Sequence, residues 1–402
     1  MKMPLKTTSR PRLVPMIPLF CPEIRGHEWK YVKECLDTGW VSSAGQYVER
    51  FERFLADYVK RPYAVACING TAALHTALLV SGIQSDEEVL VPALTFVATA
   101  NVVRYVGAWP VFMDVESHTA QMDPQKVIDF LTKECEQFQG RLVNRITKRT
   151  VRAIIPVHLL GHPVDMDPIL EVAKRFGLIV IEDAAAGIGA MYKGRPVGGL
   201  GDMACFSFNG NKVITSGGGG MLVTHHQKWA DKARYLTTQA KDDTLEQIHN
   251  EIGYNYRLTN IQAALGLAQM EQLEKYLASK KRIAECYLKE LGVVAGIKFL
   301  TTSSGGQSNF WLFTILVDKL RYGIDSRELL KRLQNANIQS RPLGHPLHTL
   351  KPYKECFSYR IEVADQLYRQ GLSLPCFVGL KEEDQRRIIR VIKGSRKTYE
   401  HK

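Results

Sequence analysis

The chain has no C-x-x-C pair, no unbroken apolar run long enough to cross a bilayer, no internal repeat and no low-complexity tract. Each absence excludes a class. The eight cysteines (Cys21, Cys35, Cys67, Cys135, Cys205, Cys286, Cys356 and Cys376) are scattered, several in strand-like runs such as AVAC and MACF. Without paired spacing they form neither a disulfide framework nor a zinc site, so reduced, buried thiols and no metal are expected. The N-terminal stretch MKMPLKTTSRPRLVPMIPLF is basic, but proline interrupts its short apolar patch. It reads as neither signal peptide nor transmembrane helix, and a cytoplasmic location without membrane insertion is expected. The formal charge is +12, yet Lys and Arg are spread along the chain. The densest basic cluster, from Arg386 to the C-terminus, has no nucleic-acid-reading motif and reads as a surface helix; the positive balance suits an anionic substrate instead.

What is present is ample core material: 402 residues, 45% of them hydrophobic, enough for two or three domains. Short apolar runs at 63–67, 88–91, 110–114, 152–157, 178–182, 204–208 and 220–224 alternate with helical patterns after Gly70, after Thr95, after Asp123 and around Asp167. That alternation predicts an α/β fold with a mostly parallel sheet wrapped by helices. The polar, basic stretch 133–150 predicts an inserted surface hairpin or loop. From Leu258 a proline-free amphipathic run predicts one long bridging helix, followed by a small α+β unit with strands at 310–317 and 338–341 and helices at 326–335, 363–371 and 382–392. The expected division is therefore a large α/β domain with an N-terminal arm over 1–257, and the bridge plus small domain over 258–402.

The chemistry concentrates around Lys212, in FSFNGNKVITSGGGG, and Asp183, which ends the apolar strand LIVIED. A lysine amine can hold pyridoxal phosphate (PLP) as a Schiff base, and an aspartate against the pyridine nitrogen keeps that nitrogen protonated. Asp183 lies where ligands gather in parallel sheets; Glu182, by strand alternation, points to the opposite face. In NGTAAL, Gly70 and Thr71 open a helix straight after a strand. The backbone N–H groups of Thr71 and Ala72 and the Thr71 hydroxyl can thus receive a phosphate, although Thr71 serves equally well as a simple helix cap.

Together with GWVSSAGQYVERFE, VLVPALTFVATANVV, IIPVHLLGHPVDMDPI and GYNYRLTNIQAA, these motifs resemble the DegT/DnrJ/EryC1/StrS family of sugar aminotransferases, from about Ile17 to Ile392. The opening segment, the basic insertion and SRPLGHPLH resemble its LegC-type branch more narrowly. The resemblance implies a PLP-dependent fold type I (aspartate aminotransferase-like) enzyme, a homodimer with composite sites. It would transfer an amino group from L-glutamate to C4 of a nucleotide-linked keto-sugar, in the LegC branch a UDP-linked 4-keto-6-deoxy-N-acetylhexosamine. Amination at C3, or a dTDP- or GDP-linked sugar, is the alternative within enzymes; a PLP-bound regulator without turnover is the alternative outside them.

Residue by residue, the resemblance gives Lys212 the Schiff base and proton shuttle, Asp183 the ring nitrogen, and Ser207 a second phosphate-contacting hydroxyl. Phe96 would stack on the ring, or else be an ordinary core residue. Asn255, in YNYR, would reach the PLP phosphate of the partner subunit, while Arg257 would bind substrate or a structural carboxylate. His158 would lie over the cofactor, or be a satisfied core histidine. Trp40, Ser42, Arg341 and His345 are further substrate candidates from the segment 39–45 and the loop 341–348. Three departures from the common pattern stand out: Ala186 replaces a Gln three residues after the Asp, Asn209 replaces a His, and Gly218 replaces a Glu. The lysine itself is retained where related dehydratases carry histidine, which favours transamination.

Overall fold

A computed structural model describes residues 15–243 and 245–396; the first fourteen residues and the end of the basic tail lie outside them. Two helices open the chain, α1 (Glu28–Thr38) and α2 (Gln46–Tyr58). The sheet region runs β1 (Tyr63–Cys67), α3 (Gly70–Val80), β2 (Glu88–Pro92), α4 (Ala98–Tyr105), β3 (Trp109–Met113) and α5 (Pro124–Asp129). It continues through the hairpin β4 (Cys135–Phe138) and β5 (Arg141–Asn144), then β6 (Val151–Ile154), α6 (Met166–Phe176) and β7 (Ile179–Asp183). The short pair β8 (Met191–Tyr192) and β9 (Arg195–Pro196) precedes β10 (Met203–Ser207), β11 (Gly220–Thr224) and α7 (Gln227–Thr237).

The large sheet has eight strands in the order β1-β11-β10-β7-β6-β2-β3-β16, the last being Ser358–Tyr359 from the C-terminal part. β10, β7, β6, β2, β3 and β16 are parallel, and only β11 runs against its neighbours. Val89, Leu90, Val91, Ala153 and Ile181 are fully buried, as expected of strands covered on both faces. The expected strands and the hairpin insertion are all found, with edges shifted by a residue or a few.

The run after Leu258 is two helices, α8 (Asn260–Met270) and α9 (Leu273–Leu291), rather than one. The break at Glu271 and Gln272 is pinned by α1: the Glu271 carboxylate lies 2.7 Å from His27 Nδ1 and accepts from the Tyr31 hydroxyl at 2.8 Å. Helix α8 shares a core with Phe51 and Leu55 of α2. At Gly266 any Cβ would come within 2.6 Å of the Phe51 ring, so glycine permits that close approach.

The remainder comprises β12 (Ile297–Phe299), β13 (Gly306–Gln307), β14 (Phe313–Val317), α10 (Lys319–Tyr322), α11 (Ser326–Asn335), β15 (Arg341–Pro342), β16, α12 (Val363–Gln370), β17 (Gly371–Leu374) and α13 (Glu382–Ser395). Strands β12-β14-β17-β15 form a separate antiparallel sheet, and α9, α11 and α13 contribute to its core through Tyr287, Leu329, Leu333 and Ile388. The fold is thus α/β, with a mostly parallel large sheet and a small antiparallel C-terminal sheet. All eight cysteines are free; Cys21 is exposed and Cys286 half-buried, against the expectation that every thiol is buried. No helix among the described residues is long and apolar enough to cross a membrane.

Candidate active site

The carboxyl ends of β1, β2, β6, β7 and β10 all open on one side of the large sheet, and a cavity of about 470 Å3 lies there. Gly70, Thr71, Phe96, His158, Asp183, Ser207, Lys212 and Arg341 line it. The parallel sheet gathers residues so far apart in sequence because each strand delivers the loop after it to the same edge.

Its floor is the turn after β1. Asn69 caps α3, accepting the Ala72 N–H at 2.8 Å through Oδ1. That bond spends an amide expected to receive phosphate, and Ala72 is absent from the cavity wall. Gly70 and Thr71, first in the helix, have no intrahelical carbonyl for their amides. A Cβ on Gly70 would fall 2.8 Å from the Ser207 Cβ, so the missing side chain lets the turn and the end of β10 close into one cradle. An oxyanion fits a helix N-terminus flanked by the Thr71 and Ser207 hydroxyls.

Asp183 is buried at the end of β7. Its Oδ2 accepts the Thr99 hydroxyl at 2.7 Å and its Oδ1 the Ala185 N–H at 3.1 Å. Among the described residues it has no salt bridge within contact distance; a buried carboxylate aimed into the cavity suits a protonated ring nitrogen. Phe96, 74% exposed, presents a bare ring at the wall. Glu182 does face the other way, accepting the N–H groups of Gly198, Leu200 and Gly201.

Burial lowers the Lys212 amine to about 8; nearby Asp183 pulls it up and Arg341 pushes it down. Its Nζ lies 4.0 Å from the centroid of the Trp311 ring. Sequence reasoning missed Trp311, along with Thr99 and Asn309, because their roles arise only from packing between distant segments. Arg341 forms no ion pair among the described residues and lies 5.9 Å from the same ring.

Other expected contacts are placed elsewhere. His158 lines the cavity but is a satisfied core histidine: Nε2 lies 3.1 Å from Glu182 Oε2 and Nδ1 accepts the Val164 N–H at 3.2 Å. Arg257 is held by Glu52 of its own chain at 2.6 Å, a structural carboxylate of the kind expected as one of its two partners. His345 sits outside the cavity lining, against Thr349 and Tyr368. Trp40 and Ser42 are exposed on the loop before α2, and Asn255 is exposed on the loop before α8; none lines the cavity of its own chain. At Ala186 the wall is a methyl group, and the backbone carbonyl accepts from Asn309 Nδ2 at 2.7 Å. At the opposite end of β10 and β11, Asp202, His225 and His226 bring ligand-type atoms within 4.8 Å of one another. The Arg61 guanidinium lies 3.2 Å from His225 Nδ1, a cation that opposes a metal there.

The DegT/DnrJ/EryC1/StrS aminotransferase family model matches residues 22–393. The chain belongs to this family. A GDP-perosamine synthase from Caulobacter vibrioides is 41% identical over 94% of this chain and 97% of its own. Another, from Escherichia coli O157:H7, is 40% identical over 91% and 95%. The PLP form of Spr1654 from Streptococcus pneumoniae superposes with a TM-score of 0.84 at 26% identity, covering 94% of this chain and 98% of that one. The protein is a PLP-dependent nucleotide-sugar aminotransferase. The names of these relatives point to GDP-linked sugar, not to the LegC-type branch expected from the opening segment.

Proposed function

We propose that this aminotransferase moves the amino group of L-glutamate onto C4 of a GDP-linked 4-keto-6-deoxy sugar, working as a homodimer with composite sites. The observation that carries the reading is the meeting of Lys212, Asp183 and the Gly70–Ser207 cradle in one cavity, in a chain whose relatives at 41% and 40% identity are both named for a GDP-sugar product. The UDP-linked N-acetylhexosamine gives way on that ground.

In this reading the amides of Gly70 and Thr71, with the Thr71 and Ser207 hydroxyls, hold the PLP phosphate. Asp183, fixed by Thr99 and Ala185, holds the ring nitrogen, and Phe96 covers the outer face. When bound, PLP supplies an electron sink for the pair left as a substrate C–H bond breaks. Lys212 would anchor the cofactor, and its amine, lowered to about 8 by burial, would move the proton from the amino acid Cα to the cofactor in the first half of the reaction and from the cofactor to the sugar carbon in the second. Arg341, a cation in the cavity lining with no ion pair among the described residues, attracts the anionic substrates.

The dimer rests on exposed apolar side chains: Trp29 (80%) and Trp40 on and after α1, and Ile252 (84%) just before Asn255. Such a surface suits a second copy of the chain, which would bring Asn255 to the partner's cavity. A mass-spectrometric product screen with glutamate and 4-keto-6-deoxy GDP, UDP and dTDP sugars tests the substrate. A 4-amino product from the GDP sugar is expected; efficient turnover confined to a UDP-linked N-acetyl sugar sinks the reading. Bleaching of the cofactor's yellow absorbance by glutamate alone separates an enzyme from a regulator.

A further inference from the structure

Trp311 is tied down at every polar atom it owns. Its indole N–H donates to the Asn211 carbonyl at 2.6 Å, and its backbone N–H to Asn309 Oδ1 at 2.7 Å. Its carbonyl accepts from Lys280 Nζ at 3.3 Å. Asn309 is itself buried, and its Nδ2 donates to the carbonyls of Ala186 and Ile188 at 2.7 Å each, in the loop that follows Asp183. Between Asn309 and Trp311, Phe310 adopts a left-handed φ of 50°, a conformation that costs energy in a bulky residue and persists only where its surroundings enforce it.

Lys280 is the less expected part. It is 3% exposed on α9, and the hydrogen bonds from its ammonium go to two backbone carbonyls, those of Trp311 and Cys376; it has no ion pair among the described residues. Burying a lysine without a carboxylate is costly, and core packing alone would be served by leucine or methionine. What the ammonium does here is join α9 and the segment after β17 to the backbone beneath the indole. That indole then meets Lys212 Nζ at 4.0 Å.

We propose that Trp311 is a positioning residue for Lys212, its ring face fixing where the amine rests and favouring its charged form by cation–π attraction, with Lys280 holding the ring from behind. The inference rests on Lys212 being the reactive lysine of the site, but not on any sugar or amino donor. It makes two demands. The ring, not merely a bulky apolar group, must matter to the lysine; and Lys280 must act through the ring.

Both demands can be read in the full chain freed of cofactor, by pulse-labelling amines from pH 6 to 11 and following the Lys212 peptide by mass spectrometry. Wild-type labelling should rise with a midpoint near 8. Trp311→Leu keeps the amine shielded but removes the π face, so the midpoint should fall by about one unit, with Trp311→Phe falling less. Lys280→Met should move the midpoint in the wild-type background and leave it unmoved in Trp311→Leu, because residues acting through one another are not additive. Fluorinated tryptophan incorporated throughout the otherwise unaltered chain weakens the ring's negative face without a truncation, and should also lower the midpoint if Trp311→Leu fails to fold. An unchanged midpoint in Trp311→Leu, or in the fluorinated chain, overturns the proposal. So does a rise toward the ordinary lysine value, which would make the ring only a water seal. Failure of the substrate screen would leave these results intact, so the two readings fail separately.

Discussion

His158 Nε2 lies 3.1 Å from Glu182 Oε2 in a pair with no solvent exposure on either side, on the face of β7 opposite to that of the adjacent Asp183. Because Nδ1 accepts the Val164 N–H, the proton sits on Nε2 and points at the carboxylate. Burial raises the Glu182 carboxyl, but the His158 contact and the N–H groups of Gly201 and Gly198 outweigh it, and the net shift is downward. A carboxylate depressed by folding stabilises the native state fully above its ordinary range and loses that contribution as pH falls through the folded value. Glu182→Ala leaves the His158 and backbone N–H donors without an acceptor and should therefore cost about 3 kcal/mol or more at neutral pH, and Glu182→Gln should flatten the acid limb of a denaturant-midpoint profile below about pH 4.5, the ordinary Glu value. An unaltered acid limb would remove Glu182 as its source.

Thr99 tests how Asp183 is held. Its hydroxyl is one of two hydrogen bonds to that carboxylate, and Thr99→Val deletes it with little change of shape. A loss of about 1–2 kcal/mol in cofactor binding is expected, read as a weaker PLP dissociation constant by absorbance titration. Asp183→Asn should do far more, slowing single-turnover rates by orders of magnitude while the melting temperature holds. Equal, small effects from both variants would place the ring nitrogen elsewhere.

The lysine is separable from the fold. Lys212 lines a cavity rather than filling a core, so Lys212→Ala should abolish multiple turnovers and leave the urea midpoint of the cofactor-free chain unchanged or raised. Its folded value near 8, below the ordinary 10.5, also sets a pH sign. The unfolded chain binds more protons between those values, so wild-type stability should gain with rising pH across that window, and Lys212→Met should lose the gain.

What could be read beforehand follows from how each feature is encoded. Strands such as 63–67 and 220–224 announce themselves through local composition, and the turn Asn69–Thr71 through its residues, so the edge that carries Lys212 and Asp183 was legible. The break between α8 and α9 was not: Glu271 and Gln272 are good helix formers, and only His27 and Tyr31, about 240 residues earlier, give the kink a reason. Trp311 escaped for the same reason, its contact with Lys212 spanning roughly 100 residues and two sheets. Ala72 shows the reverse error, where a correctly placed helix start concealed that Asn69 would take the amide for itself.

Arg257 and Glu52 offer a test of structure against binding. Both side chains are mostly buried, 15% and 11% exposed, at 2.6 Å, and Glu52 Oε1 also accepts the Ala66 N–H at 2.7 Å. Arg257→Met strands the carboxylate and should cost about 3 kcal/mol or more. Adding Glu52→Gln, which keeps the bond to Ala66, should return much of it. A raised KM with stability unchanged would restore Arg257 to the substrate.

Asn255 decides the dimer. It lies on an exposed loop outside its own chain's cavity, beside Ile252 at 84% exposure, so any contact with cofactor must come from across an interface. If its amide reaches the partner's phosphate, PLP binds the assembled site better than the monomer, and adding PLP should shift a dilute monomer–dimer equilibrium toward dimer. Lys212→Ala protomers, inactive alone, and Asn255→Ala protomers, weakened alone, then form heterodimers in which one site carries both lesions and the other neither. At random exchange of equal amounts, half the dimers are mixed, so about a quarter of wild-type activity should return. Subunit exchange is checked independently by native mass spectrometry with one protomer isotope-labelled. Exchange without recovered activity removes Asn255 from the partner's site, and a fully active monomer removes the composite site altogether.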